Sequence, residues 1–447
     1  MSDLLQALSS FSSEERRAAL EKLAAECSFP KENDYVNMHL HTFFSYNGEG
    51  WSPSRIAFEM KKLGLFAAAI CDFDVLQGLN EFISATDLLK LRSAVSFESR
   101  VFFKEYSDVE INSPGEPGVF YFMGSGFTKV PEAGTHAASV LADMLERSHS
   151  RNRAVIARIN AKLPDFNLDY DADVLPLTPD KNATERHIIA AYNAKAVSTY
   201  GGEEAAARKW AAIFGTDVED TIAKAKDYNK FNEFLRGKLI KRGGIGYAQP
   251  TSETFPDLDK VIGFILECGA LPVSAWLDGA SQGEANPREQ LACLAAKGVA
   301  AVNIIPDRNW NFKEPEVKAK KLAALIEYVL AAQELDLPIF VGTEANKPGQ
   351  RLVDGFDGIE LSPFVHTFKE GAAIMVGHTR MLRFAGKPLN SPENDSEYRS
   401  RKARNAYYAK VGMLPCPEQS TIDALLAMDN AKAEAAIADA VCRGAWK

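Results

Sequence analysis

The chain is expected to be an α/β protein whose strands close into a barrel. Three observations predict this. About seven short apolar segments have strand character, and most are followed by a helix. Repeated βα units put neighbouring strands parallel, and about seven or eight of them favour closure over an open sheet. The open, doubly wound alternative needs a glycine-rich phosphate loop after the first strand. That position instead reads HLHTFFS, and neither a GxGxxG nor a Walker A sequence occurs.

Taken in order, Ser12 and Glu15 have the spacing of a capping box, and Leu20 and Leu23 share one face of the helix that follows. Residues 34–40 (DYVNMHL) alternate with period two, as a strand does. Ser52 is an N-cap with Pro53 at the first helical position, and Gly64 is a fitting stop, so 53–63 is a helix. Residues 65–70 (LFAAAI) are wholly apolar, like a strand covered on both faces. Residues 79–90 are helical, and 94–97 and 119–123 are further strands. Between 141 and 246 the alternation pauses. This stretch is rich in Ala, Lys, Arg and Glu and reads as helices at 185–195, 203–214 and 217–228. The rhythm then resumes with a helix at 258–267, a strand at 271–275, a helix at 288–296, a strand at 300–305, a helix at 316–333 and a strand at 338–343. A polar stretch (390–404) and Ala-rich helical sequence (421–442) complete the chain. The expected organisation is a helical arm over 1–33 and a barrel in two parts over 34–140 and 247–380. A helical insertion over 141–246 would serve as a lid, and 381–447 is a C-terminal extension.

The 447 residues include 60 acidic and 51 basic side chains, a formal charge of −9. That balance disfavours a general nucleic-acid binder while leaving room for a local basic cleft. No apolar run approaches the roughly 20 residues needed to span a bilayer. The first 26 residues are amphipathic and charged, unlike a secretory signal. The cysteines (Cys27, Cys71, Cys268, Cys293, Cys416 and Cys442) are scattered without CxxC spacing, which argues against a disulfide framework or a thiolate zinc site. A cytoplasmic protein with reduced thiols is expected, with a small-molecule substrate and neither membrane nor nucleic acid as partner. The N-terminal helix and C-terminal tail also offer surfaces for a homo-oligomer.

Barrel chemistry sits at the C-terminal ends of strands. The first strand ends in His39 and His41, which point the same way at i and i+2 and so can share a metal. The next ends carry Asp72 and Asp74, then Glu98 and Arg100, and the last carries Glu344. Each residue has an ordinary alternative: a core histidine, a helix cap at Asp74, an ion pair at Arg100. Their shared position at strand ends favours a site. Imidazole and carboxylate ligands suit Zn, Mn or Fe.

The segment VNMHLHTFFSYNGEGWSPSRIAFEMKKLGLFAAAICDFDVLQGLNEF (36–82) resembles the opening of PHP-domain (polymerase and histidinol phosphatase) proteins. Those begin with HxHT, pass through a TDHD-like motif into a GxxEF helix, and continue with a buried Glu in a GxE motif. Here SFES supplies Glu98. GALPVSAW (269–276) is similar to the family segment that ends in a histidine, and VGTEAN (341–346) to its GSDAH segment. The likeness runs in register over 34–127 and 256–361. It implies a distorted seven-stranded (β/α) TIM-like barrel that hydrolyses phosphoesters with bound metals. Family phosphatases acting on nucleotides or sugar phosphates carry a helical lid with a GRPH-like motif. TERHIIAAYNAKA (184–196) is similar, and it makes Arg186 and His187 substrate-binding candidates beside Arg100.

The departures from the family pattern reduce the metal site. Phe73 replaces the TDHD histidine, Tyr121 or Phe122 another, and Trp276 a third, while Glu344 and Asn346 replace the Asp and His of GSDAH. One or two divalent ions are therefore expected rather than three, held by His39, His41 and Glu344 with Asp72 or Glu98 nearby. Asp72, Glu98 and Glu344 are the catalytic candidates. The aromatic replacements would dry the pocket and suit a flat ligand. The leading expectation is a metal-dependent phosphoesterase. A PHP-like binding protein without turnover is one alternative, and a metal-dependent lyase or isomerase using Glu344 as base is another. His366 and His378 are expected to be structural, and His136 and His149 lack partners at ligand spacing.

Overall fold

The computed structural model describes residues 2–446. Seven strands form one sheet in chain order: β1 (Val36–Leu40), β2 (Ala67–Phe73), β3 (Arg92–Phe102), β4 (Val119–Ser125), β5 (Leu271–Trp276), β6 (Ala301–Ile304) and β7 (Ile339–Val341). Just past β7, Glu344 bridges Leu40 in parallel. The His41 N–H donates to the Glu344 carbonyl and the Glu344 N–H to the His39 carbonyl, each at 2.8 Å. These bonds join the first strand to the last, so the sheet is nearly closed as a barrel.

The strands are not all parallel, as repeated βα units predict. β4 runs antiparallel to both β3 and β5. Only a short 3₁₀ turn, Lys104–Tyr106, and loops join β3 to β4. A parallel neighbour would need a crossover, so this direct connection makes the pair antiparallel. β4 consequently delivers the chain to the rim opposite the other strand ends. The 27-residue helix His136–Lys162 spans about 40 Å at 1.5 Å per residue and carries the chain back along the barrel. It starts beside the helix Leu258–Glu267, where Glu267 accepts from the Ala137 N–H at 3.0 Å. Farther along it packs on the helix Glu185–Tyr200, which in turn packs with Glu203–Phe214 and Tyr228–Leu239, and Val218–Ala225 packs on both of those. Tyr192, Trp210 and Leu235 are fully buried there, in an apolar cluster distinct from those around the barrel.

Local signals hold well at helix starts. Ser12 and Ser52 both accept from the N–H three residues on. The Glu15 carboxylate, however, takes the Ser10 hydroxyl instead of closing the expected box. β2 lies C-terminal to the expected 65–70, and β3 is longer than 94–97 at 11 residues. Beyond residue 97, β3 runs on through the polar residues Glu98, Ser99 and Arg100, which an apolar pattern does not mark.

The sequence reading assigns no element to 365–385, yet these residues form the helix Val365–Ala385, buried without a break from Gly371 to Met381. An all-round apolar surface carries no 3.6-residue stripe. Its glycines permit backbone contact: a Cβ on Gly371 would lie 1.9 Å from the Ile339 carbonyl oxygen of β7. One on Gly377 would lie equally close to the Tyr408 carbonyl oxygen of the helix Arg401–Met413. The carbonyls at the end of that second helix are satisfied by two buried arginines. Arg92 Nε donates to Gly412 O at 3.0 Å and Arg380 Nη1 to Val411 O at 2.8 Å. Among the described residues no helix is long and apolar enough to cross a membrane.

Candidate metal centre

His39 on β1 and His41, one residue past its end, lie side by side with ring centroids 5.2 Å apart, both buried, and β3 places Glu98 opposite them. His39 Nε2 lies 3.7 Å and His41 Nε2 3.6 Å from Glu98 Oε2. Ligand atoms of these three residues all fall within 4.8 Å of one another. Neither Nε2 has a hydrogen-bond partner, an unusual condition for buried polar atoms.

The surrounding hydrogen bonds explain why these nitrogens are left open. Asn303 on β6 donates through Nδ2 to Phe340 O at 3.4 Å, so its Oδ1 is turned to accept from His39 Nδ1 at 2.9 Å. Ser45 spends its hydroxyl proton on Asp72 Oδ1 at 2.6 Å and therefore accepts from His41 Nδ1 at 3.2 Å. Both imidazoles thus carry a proton on Nδ1 and turn Nε2 toward Glu98. This is how metal-ligating histidines are commonly oriented. The residues present fit a single divalent ion held by two imidazoles and one carboxylate, with remaining positions open. Burial raises the Glu98 carboxyl, and His39 partly offsets it. Burial, with His39 beside it, pushes His41 down to about 3, so this imidazole is neutral at ordinary pH.

The other expected site residues take different places. Asp72 is outside the group: its oxygens accept from the Thr42 N–H at 2.8 Å, the Thr42 hydroxyl at 2.7 Å and Ser45. It braces the loop after β1 and reaches His41 only through Ser45. Glu344 is also outside the group. It accepts from Arg308 Nη2 at 2.8 Å and Asn346 Nδ2 at 2.9 Å. Burial would raise its carboxyl, but Arg308 overrides that and holds it at about 2. Asp74 caps no helix; it adopts φ +58° and accepts from Ser99.

Arg100 pairs with Glu116 at 3.2 Å and approaches Glu185 at 4.0 Å, with its guanidinium over Phe255. Arg186 pairs with Glu233 and lies over Tyr46. His187 turns back on its own helix, where Nδ1 accepts from the Thr184 N–H at 3.0 Å and closes a capping box. Burial lowers it to about 4. His378 is fully buried and accepts from the Leu389 N–H at 3.0 Å. His366 is exposed, His136 pairs with Glu267, and His149 bonds Tyr170.

Above the triad opens a cavity of about 880 Å³. His39 and Glu98 lie in its lining, and the walls carry Arg100, Arg151, Arg186, Arg236, Lys241 and Arg308. Carboxylates line it too, among them Asp74, Glu116, Glu185 and Glu344, and they pair with several of these cations. Phe73 stacks on His41 with ring centroids 4.5 Å apart, and Tyr121 follows at 6.3 Å from Phe73. Of the two residues expected near the fourth strand, Tyr121 faces the cavity and Phe122 is core. Trp276 touches the cavity edge but stacks on Tyr328 of the outer helix Pro315–Glu334. Sequence reasoning missed Ser45, Asn303 and Arg308. Asn303 did leave a signal, as the one polar residue in the run AVNII.

No family model matches the chain, and no curated protein matches it. Among solved structures it is similar to an amidohydrolase from Chromobacterium violaceum with bound SO4 and no metal. The identity is 15%, with 70% of this chain and 88% of that one covered, at a TM-score of 0.48. It is also similar to a protein from Bifidobacterium adolescentis provisionally named a metal-dependent phosphoesterase. There the identity is 17%, over 76% of this chain and 98% of that one, at a TM-score of 0.44. Overlap this weak decides nothing about chemistry, which rests on the geometry above.

Proposed function

We propose that this chain is a PHP-like metal-dependent hydrolase that cleaves a small phosphomonoester, with one divalent ion at His39, His41 and Glu98. The supporting observation is the pair of buried, unpartnered Nε2 atoms converging on Glu98 beneath a cavity walled by arginines. An ion bound there would act as a Lewis acid toward the phosphoryl oxygens. The chain's own residues do the rest: Asn303 and Ser45 hold the imidazoles, the arginines attract the anion, and Phe73 and Tyr121 limit water on one side.

The test is the metal content of dialysed wild-type protein beside a folded His39→Ala/His41→Ala variant, followed by p-nitrophenyl phosphate turnover with added Mn or Zn. About one ion per wild-type chain, absent from the variant, together with metal-dependent turnover, supports the reading. A second reading is a binding protein without turnover. It is favoured by Phe73 stacking on His41 and by Asp72 and Glu344 being committed elsewhere. Metal binding with no hydrolysis of any phosphomonoester would select it.

A further inference from the structure

We propose that Arg308 is a catalytic residue of this site, held in place by Glu344 so that its guanidinium clamps the substrate's phosphoryl group beside the ion. This deepens the phosphoesterase reading and rests on it.

Arg308 stands on the short helix Asp307–Trp310, directly after β6. The same strand supplies Asn303, the residue that fixes His39. The arginine is therefore anchored on the element that orients the triad. That anchor is itself tied down, because Asp354 accepts from the Asp307 N–H at 3.2 Å and from Trp310 Nε1 at 2.5 Å.

Glu344 sets the direction of the guanidinium. Nη2 donates to its Oε1, while Asn346 occupies its Oε2. The Glu344 and Ala345 backbones lie in the left-handed region at φ +66° and +54°. Two consecutive non-glycine residues there are costly and persist only where surrounding contacts impose them. The bonds closing β1 onto β7 impose them here, and so fix where the Glu344 carboxylate sits.

Arg308 keeps donors to spare. Among the described residues no hydrogen bond takes its Nε or Nη1, and the side chain, 37% exposed, lines the cavity. Other cations on the wall are engaged: Arg236 and Lys241 bind Glu185, and Arg186 binds Glu233. A planar fork with free N–H groups matches two oxygens of a phosphoryl group.

A divalent ion on two neutral imidazoles and one carboxylate would leave a single positive charge against a phosphomonoester dianion, and Glu344 already offsets the charge of Arg308, so the arginine acts through its directed N–H groups rather than by adding net charge. In the reaction R–O–PO₃²⁻ + H₂O → R–OH + HPO₄²⁻, the water oxygen forms a bond to phosphorus and the P–O bond to R breaks. One water proton ends on the R oxygen and the other on phosphate. Charge is carried on the non-bridging oxygens throughout, where an arginine is effective.

The test uses metal-loaded wild-type protein, R308A, R308K and E344Q, with inorganic phosphate binding measured by calorimetry. R308A is expected to keep the wild-type metal content and bind phosphate about 10- to 100-fold more weakly, and R308K is expected to restore only part of the loss. On p-nitrophenyl phosphate, R308A is expected to lose about 10²–10³ in kcat and to recover in part with added guanidinium. E344Q, a positioning change, is expected to lower kcat more than it raises KM, with no guanidinium rescue. R308K and E344Q carry the test if R308A does not fold. Phosphate binding unchanged in R308A, or absent in the loaded wild type, overturns the proposal for Arg308. Loss of metal from the wild type would instead overturn the reading beneath it, so the two failures are distinguishable.

Discussion

The two histidines of β1 owe their usefulness to residues that touch no ion. Asn303 and the Ser45–Asp72 pair each take an Nδ1–H and leave Nε2 facing Glu98. Outer partners of this kind commonly contribute about 10- to 100-fold in metal affinity. Asn303→Ala and Ser45→Ala are each expected to weaken metal binding by that range in a chelator competition, with the far-UV circular dichroism unchanged. Affinity equal to wild type in both would mean the imidazoles are held by packing alone. His187 supplies a pH-dependent term. Its folded pKa of about 4 lies below the ordinary value of about 6.5, so between those values the unfolded chain binds more protons. The stability it contributes is fully present above about pH 6.5 and is lost as pH falls through 4, by roughly 2–4 kcal/mol. Denaturation of His187→Gln, which keeps an acceptor for the Thr184 N–H, should show a flatter pH dependence over that window.

At the scale of elements, the site depends on close approach between β1 and the end of β7. A Cβ on Gly342 would fall 2.3 Å from His39 Cβ and 2.5 Å from its backbone nitrogen. Gly342→Ala is therefore expected to push β7 off β1, at a cost of about 1–3 kcal/mol. Metal affinity should fall in parallel, because the clash falls on His39 itself and disturbs its bond to Asn303 on β6, the neighbour of β7. Equilibrium denaturation and a metal titration on the same sample would read both. The antiparallel β4 has its own consequence. It ends at the far rim, and the helix His136–Lys162 must bring the chain back, so Arg151 reaches the cavity from an element that starts near its opposite end.

For the whole molecule, an ion bound only by the folded state couples the site to global stability. Metal at 100 times its Kd is expected to stabilise the protein by about 2.7 kcal/mol. A thermal scan should show the wild-type transition rising with metal concentration and the His39→Ala/His41→Ala transition staying fixed. Equal shifts in both would place the ion elsewhere. The cavity also collects arginines from β3, the long helix and the helical insertion while the chain as a whole carries −9. Raising ionic strength should therefore weaken anion binding, with little change for a neutral analogue.

Amphipathic helices with caps, short apolar strands and the HxH pair were legible in the sequence alone, because each is set by residues a few positions apart. Ser52-Pro53 starts a helix, LFAAAI leads into β2, and His39 and His41 share a face whatever surrounds them. Only the tertiary structure decided which carboxylate meets the histidines. Asp72 lies near the end of β2, Glu344 just past β7 and Glu98 within β3, and partners from other segments occupy the first two: Thr42 and Ser45 for one, Arg308 for the other. The direction of β4 and the buried glycine-bearing helix Val365–Ala385 escaped for the same reason. Strand polarity follows from how a connection packs, and a helix covered on every side has no periodic pattern to read. Chemistry at this site is a matter of distances between segments far apart in the chain, and no local pattern encodes those.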